Sequence, residues 1–235
     1  MENPQPPHAF SQAHLSQDGF FWWHILGLLV LIVAGWLFLG MAEDVVFGDT
    51  ITLVDAQLAA WFHAHATPSF TQFMLAVSYL QGILAMSIYA LLFGIFLLRK
   101  KQRYWLLALI LAVPGGMLLN VLMKEIFNRA RPGFTDPLVT LTTYSFPSGH
   151  VAGATMLYGL LAAYLIAHTA KWRGRIAVVV TAILLVILVA LSRLYLGAHY
   201  LSDVLGAAAE GVAWLALCLT VTHILWQRRV ARLMS

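Results

Sequence analysis

Charge is scarce in this sequence. Only 10% of its 235 residues are Asp, Glu, Lys or Arg, against about a quarter in an ordinary soluble domain. There is one cysteine, Cys218, set in an apolar run, which excludes an internal disulfide framework. No Lys or Arg precedes Arg99. The first apolar run therefore has no basic leader and reads as a retained anchor, not a cleaved signal peptide. Fixed-period repeats are missing, so a solenoid or an inverted-repeat transporter has no support. Glu125, Asp136 and Glu210 are scattered, and no acidic pair stands at metal-ligand spacing. What the chain has in excess is apolar surface. Hydrophobic residues make up 61%, more than a soluble core of this size can hide. A net charge of +4 would suit nucleic acid only if the charges formed one face, and they do not. The composition is that of an integral membrane protein with no nucleic-acid partner.

Six apolar runs, at about 20–41, 71–98, 104–127, 149–169, 175–195 and 201–226, approach the roughly 20 residues that cross a bilayer as a helix. The expected fold is all-α: a six-span transmembrane helix bundle. Residues 1–19 read as a flexible N-terminal tail, 20–227 as the helix-bundle domain and 228–235 as a basic cytoplasmic tail. Between the first two spans, residues 42–70 contain Ile51, Leu53, Val54, Leu58, Trp61 and Phe62 on one helical stripe, with Asp55 and Gln57 off it. That pattern predicts an interfacial amphipathic helix, or else a connector packed on the bundle.

Ten of the 14 Lys and Arg fall in three places: 99–103, 171–175 and 228–232. With six spans these share one side, which the excess of Lys and Arg makes cytoplasmic, together with both termini. Glu43, Asp44 and Asp49 fall opposite. Trp22, Trp23, Trp105, Trp172 and Trp226 stand near span ends, where aromatic belts form. Four cations break the rule. Lys124, Arg129, Arg131 and Arg193 lie on the outer side with His150, His199 and Asp203. Ionisable groups at that depth are costly and usually functional. Four cations without matching carboxylates call for an anion.

These residues form three clusters. In K-E-I-F-N-R-A-R-P, residues 124–132, Lys124 and Arg131 are two helical turns apart and would project from one face, with Pro132 stopping the helix. An ammonium and a guanidinium fork there suit a phosphate; the alternative is snorkelling at the headgroups. In Y-S-F-P-S-G-H, residues 144–150, Pro147 suits a first helical turn. Ser148 and Gly149 would place a hydroxyl and open backbone N–H groups at a helix N-terminus, an anion site by its dipole. His150 would aim at the same place. In S-R-L-Y-L-G-A-H-Y-L-S-D, residues 192–203, His199 and Asp203 are one helical turn apart. Asp203 can accept from Nδ1 and leave Nε2 basic, the base–orienter arrangement of nucleophilic catalysis. The alternative is a buried His–Asp pair joining two helices. Arg193 adds a further phosphate clamp.

In this order and spacing, K-x6-R-P, P-S-G-H and S-R-x5-H-x3-D resemble the signature of the type-2 phosphatidic acid phosphatase superfamily, membrane lipid phosphatases related to vanadium haloperoxidases. The motifs occupy residues 124–203, and the six-span plan extends the likeness over most of the chain. The resemblance implies that His199 attacks phosphorus and forms a phosphohistidine, with Asp203 holding its tautomer. Lys124, Arg131, Arg193, Ser148 and Gly149 would hold the phosphoryl oxygens. His150 would protonate the leaving oxygen and then activate water. Neither metal nor cofactor is implied, since the cations do what Mg²⁺ does elsewhere. The implied substrate is a lipid phosphate or diphosphate at the outer face of the bilayer: undecaprenyl diphosphate, phosphatidylglycerophosphate or phosphatidic acid. Transfer to a lipid acceptor instead of water, and a non-catalytic lipid-binding scaffold, are the competing readings. Arg129 falls outside the signature and is expected at a headgroup. Glu210, two turns past Asp203, either pairs inside the bundle or lines the substrate path. His24, His168 and His223 read as packing residues, and His63 and His65 form an isolated H-x-H pair.

Overall fold

A computed structural model describes residues 17–48 and 50–234. Most of the expected N-terminal tail, as well as Asp49, therefore lies outside the described residues. Among the described residues every regular element is helical. The helices are α1 (Gln17–Phe47), α2 (Thr50–Ala64), α3 (Pro68–Leu80), α4 (Ile83–Arg99), α5 (Arg103–Ile110), α6 (Gly116–Phe127), α7 (Gly149–His168), α8 (Trp172–Tyr195) and α9 (Leu201–Met234). A π-helical turn, Leu111–Gly115, fuses α5 to α6. Pro114 sits in that turn and has no N–H for the ladder, so the helix widens there. The basic segment from Arg228 continues α9 as helix.

Five stretches are long and apolar enough to cross a membrane: Trp22–Phe47, Arg103–Phe127, Gly149–His168, Trp172–Tyr195 and Leu201–Leu233. The expected second span, 71–98, is instead two helices, α3 and α4, bent by 45°. Gln81 and Gly82 make the break, their N–H groups returning to Ser78 and Tyr79 carbonyls. Counted as one span, the pair gives six. The first helix also outruns its expected end at Met41 and carries Glu43 and Asp44 in its last turns.

Between helices in lipid the hydrophobic effect is weak, because acyl chains are as apolar as Leu; small residues and close packing hold them together. α7 shows this best. Every residue from Val151 to Leu157 is buried, and the helix touches α4, α5, α6, α8 and α9. At Gly116, where α6 crosses α7, an added Cβ would fall 2.2 Å from Met156 Sδ. α1 leans mainly on α9. Trp105 and Trp226 depart from the aromatic-belt expectation. Both are 7% exposed, and Trp105 meets Tyr164 edge to face at 5.2 Å, so they fill the bundle instead of its rim.

α2 packs on α1, α8 and α9. Of its apolar stripe, Leu53, Val54 and Trp61 face outward and Leu58 and Phe62 pack against the core, while Asp55, off the stripe, is fully buried. An ion pair with Arg129 at 2.8 Å compensates that burial. The H-x-H pair diverges. His63 Nε2–H donates to Asp136 at 2.9 Å and stacks on Phe134, whereas His65 stacks on Trp61.

Candidate active site

The three clusters meet at one end of the bundle. Lys124 is in the last turn of α6, which ends at Phe127 because Asn128 turns left-handed at φ 46 and returns its N–H to Lys124 O. The helix thus stops before Arg131, and Pro132 is not its terminator. Lys124 and Arg131 do not share a helix face. They converge through the loop instead: Lys124 Nζ donates to the Tyr144 carbonyl at 2.8 Å and Arg131 Nη2 to the same oxygen at 3.1 Å.

Two backbone bonds tie the loop down. Ser145 N–H reaches Arg129 O at 2.8 Å, and Ser148 N–H reaches Asp203 O at 3.1 Å. Ser148 is the residue before the first turn of α7, with an extended ψ of 113; Pro147 therefore precedes the cap and lies outside the helix. A Ser at this position usually caps with its side chain, yet Ser148 makes no such bond, and its Oγ is buried without a hydrogen-bond partner among the described residues. The hydroxyl is left for something else. At Gly149 an added Cβ would stand 3.2 Å from Asn120 Oδ1 and 3.9 Å from Lys124 Cε, so the lysine stem packs on the start of α7. His150, in the first turn, lies within electrostatic reach of Arg193, Arg131 and Lys124.

Arg193 closes the third side from the last turn of α8. It is 2% exposed, donates to Ser78 Oγ on α3, and keeps a buried Nε with no hydrogen-bond partner among the described residues. The chain then reverses through Gly197, whose φ of +62 is left-handed and whose added Cβ would fall 2.9 Å from Phe134. That turn presents His199 just before α9.

The His199 ring lies between a cation and a carboxylate. Arg131 Nη1 donates to Nε2 at 3.1 Å, which makes Nε2 the acceptor and assigns the proton to Nδ1. Nδ1 faces Asp203 Oδ2 at 3.4 Å, longer than a normal N–H···O bond. The reason is crowding at the carboxylate. Oδ2 already accepts from Tyr200 N–H at 2.8 Å and from the Ser145 hydroxyl, while Oδ1 accepts from Arg129 Nη1 at 2.5 Å. Burial pushes the His199 pKa down to about 3, with Arg131 and Arg193 adding to the shift and Asp203 opposing it. The ring is a neutral imidazole at physiological pH, its lone pair on the Arg131 side.

Arg131, Arg193 and Asp203 thus lie about the His199 imidazole, and Lys124, Ser148, Gly149 and His150 are tied to these through their own contacts. Arg129 does not behave as expected. It is not at a headgroup; its guanidinium bonds Asp203, Ser202 Oγ at 2.7 Å and Asp55 at 2.8 Å, and lies 4.4 Å from the Tyr200 ring. Burial alone would lower its pKa, but Asp203 and Asp55 overcome that and hold it above the ordinary value. Ser145 and Asp55 also went unread, because a serine and an aspartate in connecting segments carry no spacing signal. Glu210 pairs inside the bundle, accepting from Asn120 Nδ2 at 2.8 Å. Among the described residues, no three His, Cys, Asp or Glu side chains gather as a metal site.

The chain is 37% identical over 120 residues to phosphatidylglycerophosphatase B of Bacillus subtilis, an alignment covering 51% of this chain and 58% of that protein. It thus spans little more than half of that relative's length. Among solved structures, the transmembrane PAP2 type phosphatidylglycerolphosphate phosphatase from Bacillus subtilis superposes with a TM-score of 0.73 at 26% identity, covering 80% of this chain and 93% of that one. LpxE of Aquifex aeolicus shares the fold, with a TM-score of 0.55 at 23% identity over 71% of this chain and 94% of its own. The family model describing the PAP2 superfamily matches residues 103–227, the stretch that carries all three clusters, and the chain belongs to that superfamily.

Proposed function

We propose that this protein is a lipid phosphatase that removes a terminal phosphate through a phosphohistidine on His199. The observation that carries the reading is the neutral imidazole whose Nε2 lies 3.1 Å from the Arg131 guanidinium, with an aspartate on its other side. A phosphate drawn to Arg131 is brought to the nucleophile by the same contact. Lys124, Arg193, the Ser148 hydroxyl and the N–H groups opening α7 complete its cradle, and unmatched donors aimed at developing charge stabilise a pentacoordinate transition state.

The lone pair on Nε2 attacks phosphorus, the P–O bond to the lipid breaks, and His150 gives its proton to the departing oxygen. Water then attacks the phosphohistidine while His150 takes the proton back. The P–N bond breaks, releasing inorganic phosphate and the neutral ring. Substrate and water become lipid alcohol and phosphate, with every proton accounted for. The site lies at one end of an apolar bundle, which suits a lipid whose tail stays in hydrocarbon. Undecaprenyl diphosphate, phosphatidylglycerophosphate and phosphatidic acid all meet that description, and the similarity to phosphatidylglycerophosphatase B favours the second. The basic clusters at the opposite helix ends support a bacterial inner-membrane location, with both termini cytoplasmic and the site on the outer face.

Purified protein in detergent, offered these three lipids with EDTA present, should release phosphate. His199→Ala should abolish it. Turnover by that variant would sink the nucleophile assignment, and loss of wild-type turnover with EDTA would sink the metal-free step. A cysteine introduced at the exposed Thr135 should react with an impermeant thiol reagent in intact cells; labelling only after lysis would invert the topology.

A further inference from the structure

We propose that Asp55 and Arg129 set the charge beneath His199, holding a net −1 that the phosphohistidine cation neutralises. The proposal rests on the active-site reading above and adds two positioning residues to it, one of them on the helix between the first two spans.

The geometry is a closed chain of bonds. Arg129 spans two carboxylates, with Nη1 on Asp203 at 2.5 Å and Nη2 on Asp55 at 2.8 Å. Asp55 is held in turn by Ser202, whose N–H donates to Oδ1 at 2.9 Å and whose hydroxyl donates to Oδ2 at 2.5 Å. The same hydroxyl accepts from Arg129 at 2.7 Å. The Asp55 and Asp203 side chains are 1% and 0% exposed and that of Arg129 is 13% exposed, so solvent does little to screen their charges.

Two carboxylates and one guanidinium sum to −1. When Nε2 takes a phosphoryl group and Nδ1 keeps its proton, the ring becomes +1, and ring and cluster together become neutral. Without Asp55 the balance changes. Arg129 would pair with Asp203 alone, the cluster would be neutral at rest, and the phosphorylated ring would hold a buried positive charge with no counter-charge. Asp55 thus keeps Arg129 from fully discharging the aspartate that His199 needs. Burying a carboxylate on a connecting helix is otherwise costly, and a connector packed only for shape would place an apolar residue there.

The test is kinetic, on the full chain in detergent micelles with phosphatidic acid as the probe. Asp55→Asn is nearly isosteric and should lower kcat roughly 10–100-fold, the range typical of residues that orient reacting groups from behind. KM should stay within about threefold, because nothing in the phosphate cradle has moved. Arg129→Gln leaves two facing carboxylates and should also be slow. The combination Asp55→Asn with Arg129→Gln restores a net −1 through Asp203 alone and should be faster than either single variant. A double variant no faster than the better single one would overturn the proposal, as a purely structural role predicts additive losses. Where Arg129→Gln does not fold, a kcat for Asp55→Asn within twofold of wild type overturns it alone. Two controls keep the readings apart. Wild-type protein that releases no phosphate, or His199→Ala protein that does, would defeat the active-site assignment. With both controls as expected, the charge-balance proposal stands or falls on these variants.

Discussion

Arg129 and Arg131 are two residues apart, yet they occupy opposite sides of the His199 ring. Below it, Arg129 is matched by two carboxylates that hold its pKa above the ordinary value despite burial. Above it, Arg131 donates to carbonyls at Ala198, Thr143 and Tyr144 and to the imidazole itself. Burial pulls the Arg131 pKa down, and Asp203 is the carboxylate that opposes this. Arg129 has a carboxylate on each Nη, whereas the hydrogen bonds of Arg131 among the described residues go to carbonyls, a hydroxyl and the imidazole. A cation whose charge is already met positions its neighbours, and one whose charge is unmet recruits an anion. The contrast follows from the end of α6: once Asn128 breaks the helix, the loop carries Arg129 to Asp203 and Asp55 and Arg131 to the His199 ring and the Thr143, Tyr144 and Ala198 carbonyls.

The largest expected effect breaks the lower side. Asp203→Asn keeps shape but removes the charge and the acceptor that fixes the Nδ1 proton. By analogy with serine-protease triads kcat should fall about 10⁴-fold, with helical content by circular dichroism unchanged. A loss below tenfold would mean that the carboxylate only joins α9 to the loop. The upper side should be nearly as sensitive. Arg131→Lys keeps a cation but loses the fork that spans Nε2 and the phosphate, and kcat should fall on the order of 10²–10³-fold, as for loss of one oxyanion donor. KM for phosphatidylglycerophosphate should rise with it. Wild-type kinetics in this variant would show that any cation there suffices and would erase the distinction between the two arginines.

The upper side was legible in the sequence, and of the lower side only Asp203 was. Lys124, Arg131, Ser148, Gly149, His150, Arg193, His199 and Asp203 announce themselves because cations and histidines are out of place at apolar span ends. The six-run hydropathy pattern likewise gives the bundle, five runs matching stretches long enough to cross and the second matching the bent α3–α4 pair. Asp55 and Ser145 sit in connecting segments where a lone polar residue is ordinary, and only tertiary folding buries them. The stripe on α2 does not by itself say which way is in: Leu53, Val54 and Trp61 face outward while Leu58 and Phe62 pack against the core, because in a membrane protein the outside is apolar too. The bend at Gln81 and Gly82 and the stop at Asn128 are single-residue backbone events that a 20-residue hydropathy window averages away.

The smallest expected effect tests whether the ring is as desolvated as its surroundings make it. In the fold its pKa is about 3, against roughly 6.5 for an unfolded chain. As pH falls below about 6.5 the unfolded state takes up a proton first, so the fold loses stability from there down to about pH 3. Above about 6.5 this contribution is constant. The slope approaches 1.4 kcal/mol per pH unit at most, giving about 2 kcal/mol by pH 5. His199→Gln has no proton to bind, so it escapes this loss. Its Tm relative to wild type should therefore rise on going from pH 8 to pH 5, on the order of 5 °C for a chain of this size. The same depressed pKa keeps His199 unprotonated across that range, so any acid-side loss of kcat/KM there must come from the substrate. A Tm difference that does not change with pH would mean that the folded ring titrates like a solvated one. It would then lack the dry contact with Asp203 and Arg131 on which the contrast between its two sides depends.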